Sequence, residues 1–186
     1  MAYAATYSPK HLLLTEVSGG VERLTVEGGL LKISDFLHDK AVCAELKAVD
    51  KVSAIKELVS LLVAAGSIRR DDQQTLVETL SSREELGSTG IGQGVGIPHG
   101  KSDSVKDLVA AFGRSVPGVD FDSLDGEPVH LFFLLVAPNA SAGPHLKALA
   151  RISRLLKDKY FREALKSARD DKDILRIIKE EDAKRQ

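Results

Sequence analysis

The chain has 186 residues, 43% hydrophobic and 28% charged, which is enough to bury a core without cross-links. Its 26 basic and 27 acidic residues leave a net charge of −1, and aromatics reach only 5%, so the basic footprint and stacking platform of a nucleic-acid binder are both missing. The single cysteine, Cys43, excludes an internal disulfide and a cysteine zinc cluster, and its apolar neighbours Ala41, Val42 and Ala44 suit a buried thiol in a reducing cytoplasm.

Residues 1–30 read differently from the rest. Two short alternating runs, 11–17 and 21–26, flank Ser18-Gly19-Gly20. That is hairpin chemistry, and a poorly ordered leader or an extension from an upstream start fits the same residues. The boundary falls near residue 31, giving an N-terminal extension over 1–30 and one domain over 31–186. No run nears the ~18–20 apolar residues of a membrane span, and Leu12-Leu13-Leu14 is too short for a signal-peptide core. A cytoplasmic protein with no membrane insertion is expected.

A strand is expected over 41–46. Asp50 caps a helix whose face carries Ala54, Ile55, Leu58, Leu61 and Leu62, and Gly66 ends it. A second helix follows Asp71-Asp72 with Leu76, Val77 and Leu80 inward, and 81–85 reads as a polar turn. After a glycine-rich stretch over 90–100 comes a strand over 108–112. Residues 117–127 form a loop with turn chemistry at Asp125-Gly126. The apolar run 129–136 reads as a strand covered on both faces. Pro144 opens a helix with Leu146, Leu149, Ile152, Leu155 and Leu156 on one side, and helices over 159–167 and 171–181 finish the chain. Strands alternating with helices predict a layered α/β domain.

The string Ser88-Thr89-Gly90-Ile91-Gly92-Gln93-Gly94-Val95-Gly96-Ile97-Pro98-His99-Gly100-Lys101 is the most informative. It is not a P-loop: Gly100-Lys101-Ser102 supplies the end, but the required first glycine is Val95, and Pro98 removes a cradle N–H. It is not a dinucleotide fingerprint either, because the sixth place after Gly90, Gly92 or Gly94 is Val95, Ile97 or His99. What remains is an imidazole held between proline and glycine. Pro98 pins its own φ and pushes Ile97 into an extended conformation, and Gly100 lets another group approach. Such a histidine has the restricted geometry a nucleophile needs, although the tripeptide alone also reads as a plain turn.

This string, with Arg83-Glu84 just ahead of it, resembles the active-site signature of the type-2 IIA domains (fructose, mannitol and nitrogen-regulatory) of the bacterial phosphotransferase system. Pro144-His145-Leu146-Lys147-Ala148-Leu149 resembles the family's second conserved stretch. The likeness runs from about Leu31 to the C-terminal helices. It implies a central mixed β-sheet flanked by helices on both faces. It implies that His99 accepts a phosphoryl group from a phosphohistidine of HPr or an HPr-like carrier, through Nε2. It implies that His145 is the second histidine of the site and Arg83 its arginine. Gly96 stands where the family more often has alanine, a harmless exchange. The absence of a fused carrier, transmembrane or sugar-binding domain favours the free-standing nitrogen-regulatory branch over a sugar-transport component.

The chemistry suits these residues. A neutral ring nitrogen attacks, and the other must hold its proton against an acceptor, here a backbone carbonyl or similar group. Charge on the transferring oxygens can be met by Arg83, by backbone N–H groups at Gly90, Gly92, Gly94 and Gly96, by the hydroxyl of Thr89 and by the N-terminus of the Pro144 helix, which also disfavours a charged His145. No cofactor or metal is required; a metal held by His99 and His145 lacks a further ligand at suitable spacing. His11, His38 and His130 have no motif around them. Three functions are compatible: a regulatory phosphocarrier, a transport IIA passing phosphate to a IIB protein, and a binding module without turnover. A serine hydrolase is excluded by the lack of a Gly-x-Ser-x-Gly elbow.

Overall fold

The computed structural model describes residues 31–184, so the hairpin expected over 11–26 lies outside the described residues. Six strands form one mixed sheet: β1 (Leu37–Cys43), β2 (Gly90–Gly92), β3 (Val95–Gly96), β4 (His99–Lys101), β5 (Val109–Val119) and β6 (Val129–Ala137). The order is β1-β5-β6-β3-β2, and β4 also pairs with β6. β3 and β4 therefore lie end to end along one side of β6, both parallel to it, while β5 runs antiparallel on its other side.

Helices α1 (Lys51–Ala64), α2 (Gln73–Glu85), α3 (Ala142–Leu156), α4 (Lys159–Lys166) and α5 (Asp171–Lys184) cover both faces, as expected. The strand period of two sorts β6 between them. Leu131, Phe133 and Leu135 pack with Ala148 and Ile152 of α3, Phe161 of α4 and Ile178 of α5. Phe132, Leu134 and Val136 pack with Ile55 and Leu58 of α1 and Leu76 and Leu80 of α2. Asp50 caps α1 as expected: its carboxylate accepts the Ser53 N–H at 2.8 Å, and the Ser53 hydroxyl oxygen accepts the Asp50 N–H at 3.1 Å. Such a cap is worth about 1 kcal/mol.

Several elements differ from expectation. Residues 81–85 are the last turns of α2 rather than a polar turn, because buried Glu84 continues the inward face of Leu76, Val77 and Leu80. β5 runs to Val119, past the expected end at Phe112, because it follows β6 as far as the Val119–Val129 pair. The register shifts between Arg114 and Val119, and Pro117 is accommodated at that irregularity, where a missing N–H breaks no ladder bond. β1 lies at Leu37–Cys43, earlier than the expected 41–46. α3 begins at Ala142, so Pro144 sits within its first turn, where no intrahelical donor is needed. Leu146 points outward, 66% exposed, and the buried face is His145, Ala148, Arg151, Ile152, Leu155 and Leu156.

The two ends of the described domain are fastened together. The Ile33 N–H donates to Asp182 Oδ2 at 2.6 Å, and Arg151 of α3 donates to Asp182 Oδ1 and to its backbone carbonyl. Arg151 and Asp182 are both buried. Removing one partner of such a pair strands the other charge and costs about 3–5 kcal/mol.

Candidate functional site

β4 aligns His99 with Leu135 and Gly100 with Val136. Paired residues of parallel strands share a face, so His99 and Lys101 face the α3 layer and Gly100 faces α2. A Cβ on Gly100 would stand 3.1 Å from Leu80 Cδ2, so glycine lets α2 pack directly on β4. On the other side the Pro98 carbonyl accepts the Leu135 N–H at 3.0 Å, which ties the segment to β6.

His99 is half-buried, and its Nδ1 lies 2.7 Å from the Ile97 carbonyl oxygen. A carbonyl only accepts, so in the neutral ring Nδ1 carries the proton and Nε2 keeps its lone pair. The acceptor anticipated from sequence is thus a residue of the same loop, two positions back.

His145 stands beside it, on the first turns of α3. The ring centroids are 5.7 Å apart, tilted by 52°. His145 is 8% exposed, and its Nε2 is buried without a hydrogen-bond partner. With no partner inside the protein, that nitrogen is open to a polar group brought by another molecule. Burial pushes the His145 pKa below the usual imidazole value, and the positive charges of His99 and Lys101 add to the shift. At neutral pH His145 is therefore uncharged and able to donate one hydrogen bond from a ring nitrogen. Sequence reasoning missed Lys101. In the sequence it stands out only as the end of an incomplete P-loop, but its spacing of two from His99 on a strand is the signal that puts both on one face.

The remaining expected site residues have partners within the protein. Arg83 lies in the last turn of α2, the helix that packs on Gly100 of β4, and its guanidinium donates to the Gly87 carbonyl at 3.0 Å. The Thr89 hydroxyl donates to Glu84 Oε2 at 2.6 Å, so its proton is committed within the protein. The glycines form a packed hairpin. Gly90 N–H donates to Ser88 Oγ, Gly92 N–H to Ser123 Oγ and Gln93 N–H to Asp125 Oδ2. The Gly94 carbonyl accepts the His130 and Leu131 N–H groups, whereas His99 aligns with Leu135. At ~3.3 Å per residue, Gly94 stands about 16 Å along β6 from His99. Gly96 is pressed against Phe132 and Val129, with 3.1 Å left to each for an added Cβ, so alanine there needs its neighbours to give slightly.

His130 Nδ1 meets the Ser115 carbonyl, and His38 Nδ1 accepts the Lys40 N–H. Cys43 is partly buried, and burial pushes its thiol pKa up. Among the described residues, no three His, Cys, Asp or Glu side chains gather to hold a metal ion, and no helix is long and apolar enough to cross a membrane. An open cleft of about 560 Å³ lies between Lys51, Glu84, Ser88 and Asp122, and neither histidine of the pair lines it.

Comparison with known proteins places this arrangement. The family described as "Phosphoenolpyruvate-dependent sugar phosphotransferase system, EIIA 2" matches residues 35–181. The chain is 38% identical over 148 residues to a nitrogen regulatory protein of Bradyrhizobium diazoefficiens, covering 80% of this chain and 95% of that one. It is 39% identical over 152 residues to the fructose-specific EIIABC component of Bacillus subtilis, covering 82% of this chain and 24% of that longer protein. The crystal structure of nitrogen regulatory protein IIA-Ntr from Neisseria meningitidis superposes with a TM-score of 0.71 at 33% identity, covering 78% of this chain and 98% of that one. Fold and sequence together define a IIA-type phosphocarrier domain. The chain belongs to the EIIA type 2 family of the phosphoenolpyruvate-dependent sugar phosphotransferase system.

Proposed function

We propose that this chain takes a phosphoryl group onto Nε2 of His99 from a phosphohistidine of HPr or an HPr-like protein, in the cytoplasm, and serves a regulatory, nitrogen-type branch of the system. The observation that carries the reading is the pairing of His99 Nδ1 with the Ile97 carbonyl, which leaves Nε2 as the free nucleophile. In the transfer, the donor's N–P bond breaks, its electron pair returning to the donor imidazole, as a bond forms from His99 Nε2 to phosphorus; the proton stays on Nδ1, hydrogen-bonded to the Ile97 carbonyl. Charge on the three equatorial oxygens must be met by preset donors. Neutral His145 supplies one from its unpaired Nε2, and Lys101 supplies positive potential from the same face. Arg83, whose guanidinium also holds the Gly87 carbonyl in the turn that leads into the histidine loop, is a further donor to those oxygens.

Incubated with a phosphorylated HPr-like carrier, the wild-type chain takes up label and His99→Ala does not; equal labelling of both rejects the acceptor. The regulatory branch is favoured by the match to nearly the whole Bradyrhizobium protein. A second reading, a transport IIA that hands phosphate to a IIB protein, is favoured by the similarity to part of the Bacillus fructose component. Onward transfer of the label to a fructose-type IIB protein selects the second reading, and retention of the label selects the first.

A further inference from the structure

Glu84 takes no part in the chemistry above, yet the residue is only 4% exposed. Both oxygens are occupied by one residue. Oε1 accepts the Thr89 N–H at 2.7 Å and Oε2 accepts the Thr89 hydroxyl at 2.6 Å. The Thr89 carbonyl in turn accepts the Ile97 N–H at 3.0 Å. Ile97 closes the series by accepting the His99 Nδ1–H. Lys51 supplies the counter-charge at the far end, 3.6 Å from Glu84 and 2.8 Å from Asp122.

We propose that Glu84 is a positioning residue for phosphoryl transfer: it anchors Thr89, Thr89 anchors Ile97, and the Ile97 carbonyl sets the tautomer and aim of the His99 ring. The need for such an anchor follows from the topology. Ile97 lies between the two short stretches, β3 and β4, that pair with β6, and Pro98 after it has no N–H to give. The N–H bond to Thr89 therefore sets the approach of Ile97 from one side, and the Pro98 carbonyl bond to Leu135 sets it from the other. A charged acceptor makes the stronger kind of hydrogen bond, and a bidentate pair fixes direction as well as distance. Carboxylate and imidazole sit on opposite faces of the sheet, so the anchor works through the backbone and leaves the phosphoryl pocket free.

The inference rests on the reading of His99 as acceptor, and its test separates the two. The readout is the tautomer of His99, taken from its imidazole ¹⁵N shifts in the full unphosphorylated chain, beside the rate of phosphoryl uptake. Glu84→Ala is expected to move His99 from the Nδ1–H form toward a mixture with the Nε2–H form, and to slow uptake about tenfold, the scale of a modest misplacement of a reacting group. Glu84→Gln can still accept the Thr89 N–H and donate to the Thr89 oxygen, so it restores both readouts to near wild type. His145 resonances stay unmoved in each case. If Glu84→Ala does not fold, Thr89→Val, which removes one of the two bonds and keeps the other, carries the test with a smaller shift of the same sign. An unchanged His99 tautomer in the folded variants overturns the proposal, whether or not uptake slows. If His99→Ala still takes up label, the acceptor reading fails, and the tautomer measurement still decides whether Glu84 orients this ring.

Discussion

The glycine-rich segment divides at Ile97 into two halves of opposite character. Upstream, Gly90, Gly92 and Gln93 spend their N–H groups on Ser88, Ser123 and Asp125, and Gly96 lies tight against Phe132. Downstream, His99 is half-open and oriented, and beside it a buried histidine nitrogen goes unpaired. The first half has no hydrogen-bonding capacity to spare at these positions; the second half holds some back. Folding consumes polar groups wherever it can, so unspent capacity in a buried place is a better pointer to chemistry than glycine content.

The largest expected effect comes from spending that capacity. His145→Leu removes the unpaired nitrogen, and phosphoryl uptake is expected to fall about 100-fold, the loss seen when one preset donor to a transition-state charge is deleted. The same variant is expected to keep or raise Tm at pH 7, because a buried unsatisfied group disappears. A fall in Tm with unchanged uptake would reverse the contrast between the two halves. Next comes the opposite kind of change. Gly94 has a φ of +73°, in the left-handed region.

 That backbone conformation penalises any side chain, and Gly94→Ala is expected to cost about 1–2 kcal/mol of stability, read by denaturant unfolding. Uptake by the folded variant stays within about twofold of wild type, since Gly94 stands far along β6 from the acceptor. Slower uptake at full occupancy of the fold would return the hairpin to the phosphate site.

The pH dependence gives a finer test. The folded His145 takes its proton only below the usual imidazole range, while the unfolded chain takes it near pH 6.5. Between those values unfolding takes up a proton, so the histidine's contribution is complete above pH 6.5 and is lost as pH falls through the window. The drop in Tm from pH 7.5 to 5.5 is therefore expected to be smaller in His145→Leu than in wild type; equal drops would show that His145 is not held neutral by the fold. The smallest effect is expected from Lys101→Met. Its charge acts on the site from a half-exposed position, so uptake should slow a few-fold at low salt and by less as salt rises. A loss that ignores salt would mean that Lys101 touches the phosphoryl group directly.

The layered fold was legible because its signals are periodic. The buried faces of α1 and α2, and the apolar run of β6, follow directly from spacing. What escaped was set by contacts distant in sequence. The length of β5 depends on its pairing with β6, and the counter-charge that faces Glu84 comes from Lys51 on α1. The histidine pair was legible through its flanking residues. The place of the glycines was not, because a hairpin and an anion cradle ask for the same residues, and only the partners of their N–H groups tell them apart.

The bond between Ile33 and Asp182 has a consequence for architecture beyond this chain. Where the first and last turns of a module meet, whatever is joined to either end emerges from the same spot on its surface. A unit closed in this way can be spliced into a longer polypeptide without prying its layers apart, and its neighbours on both sides are brought together as they leave it.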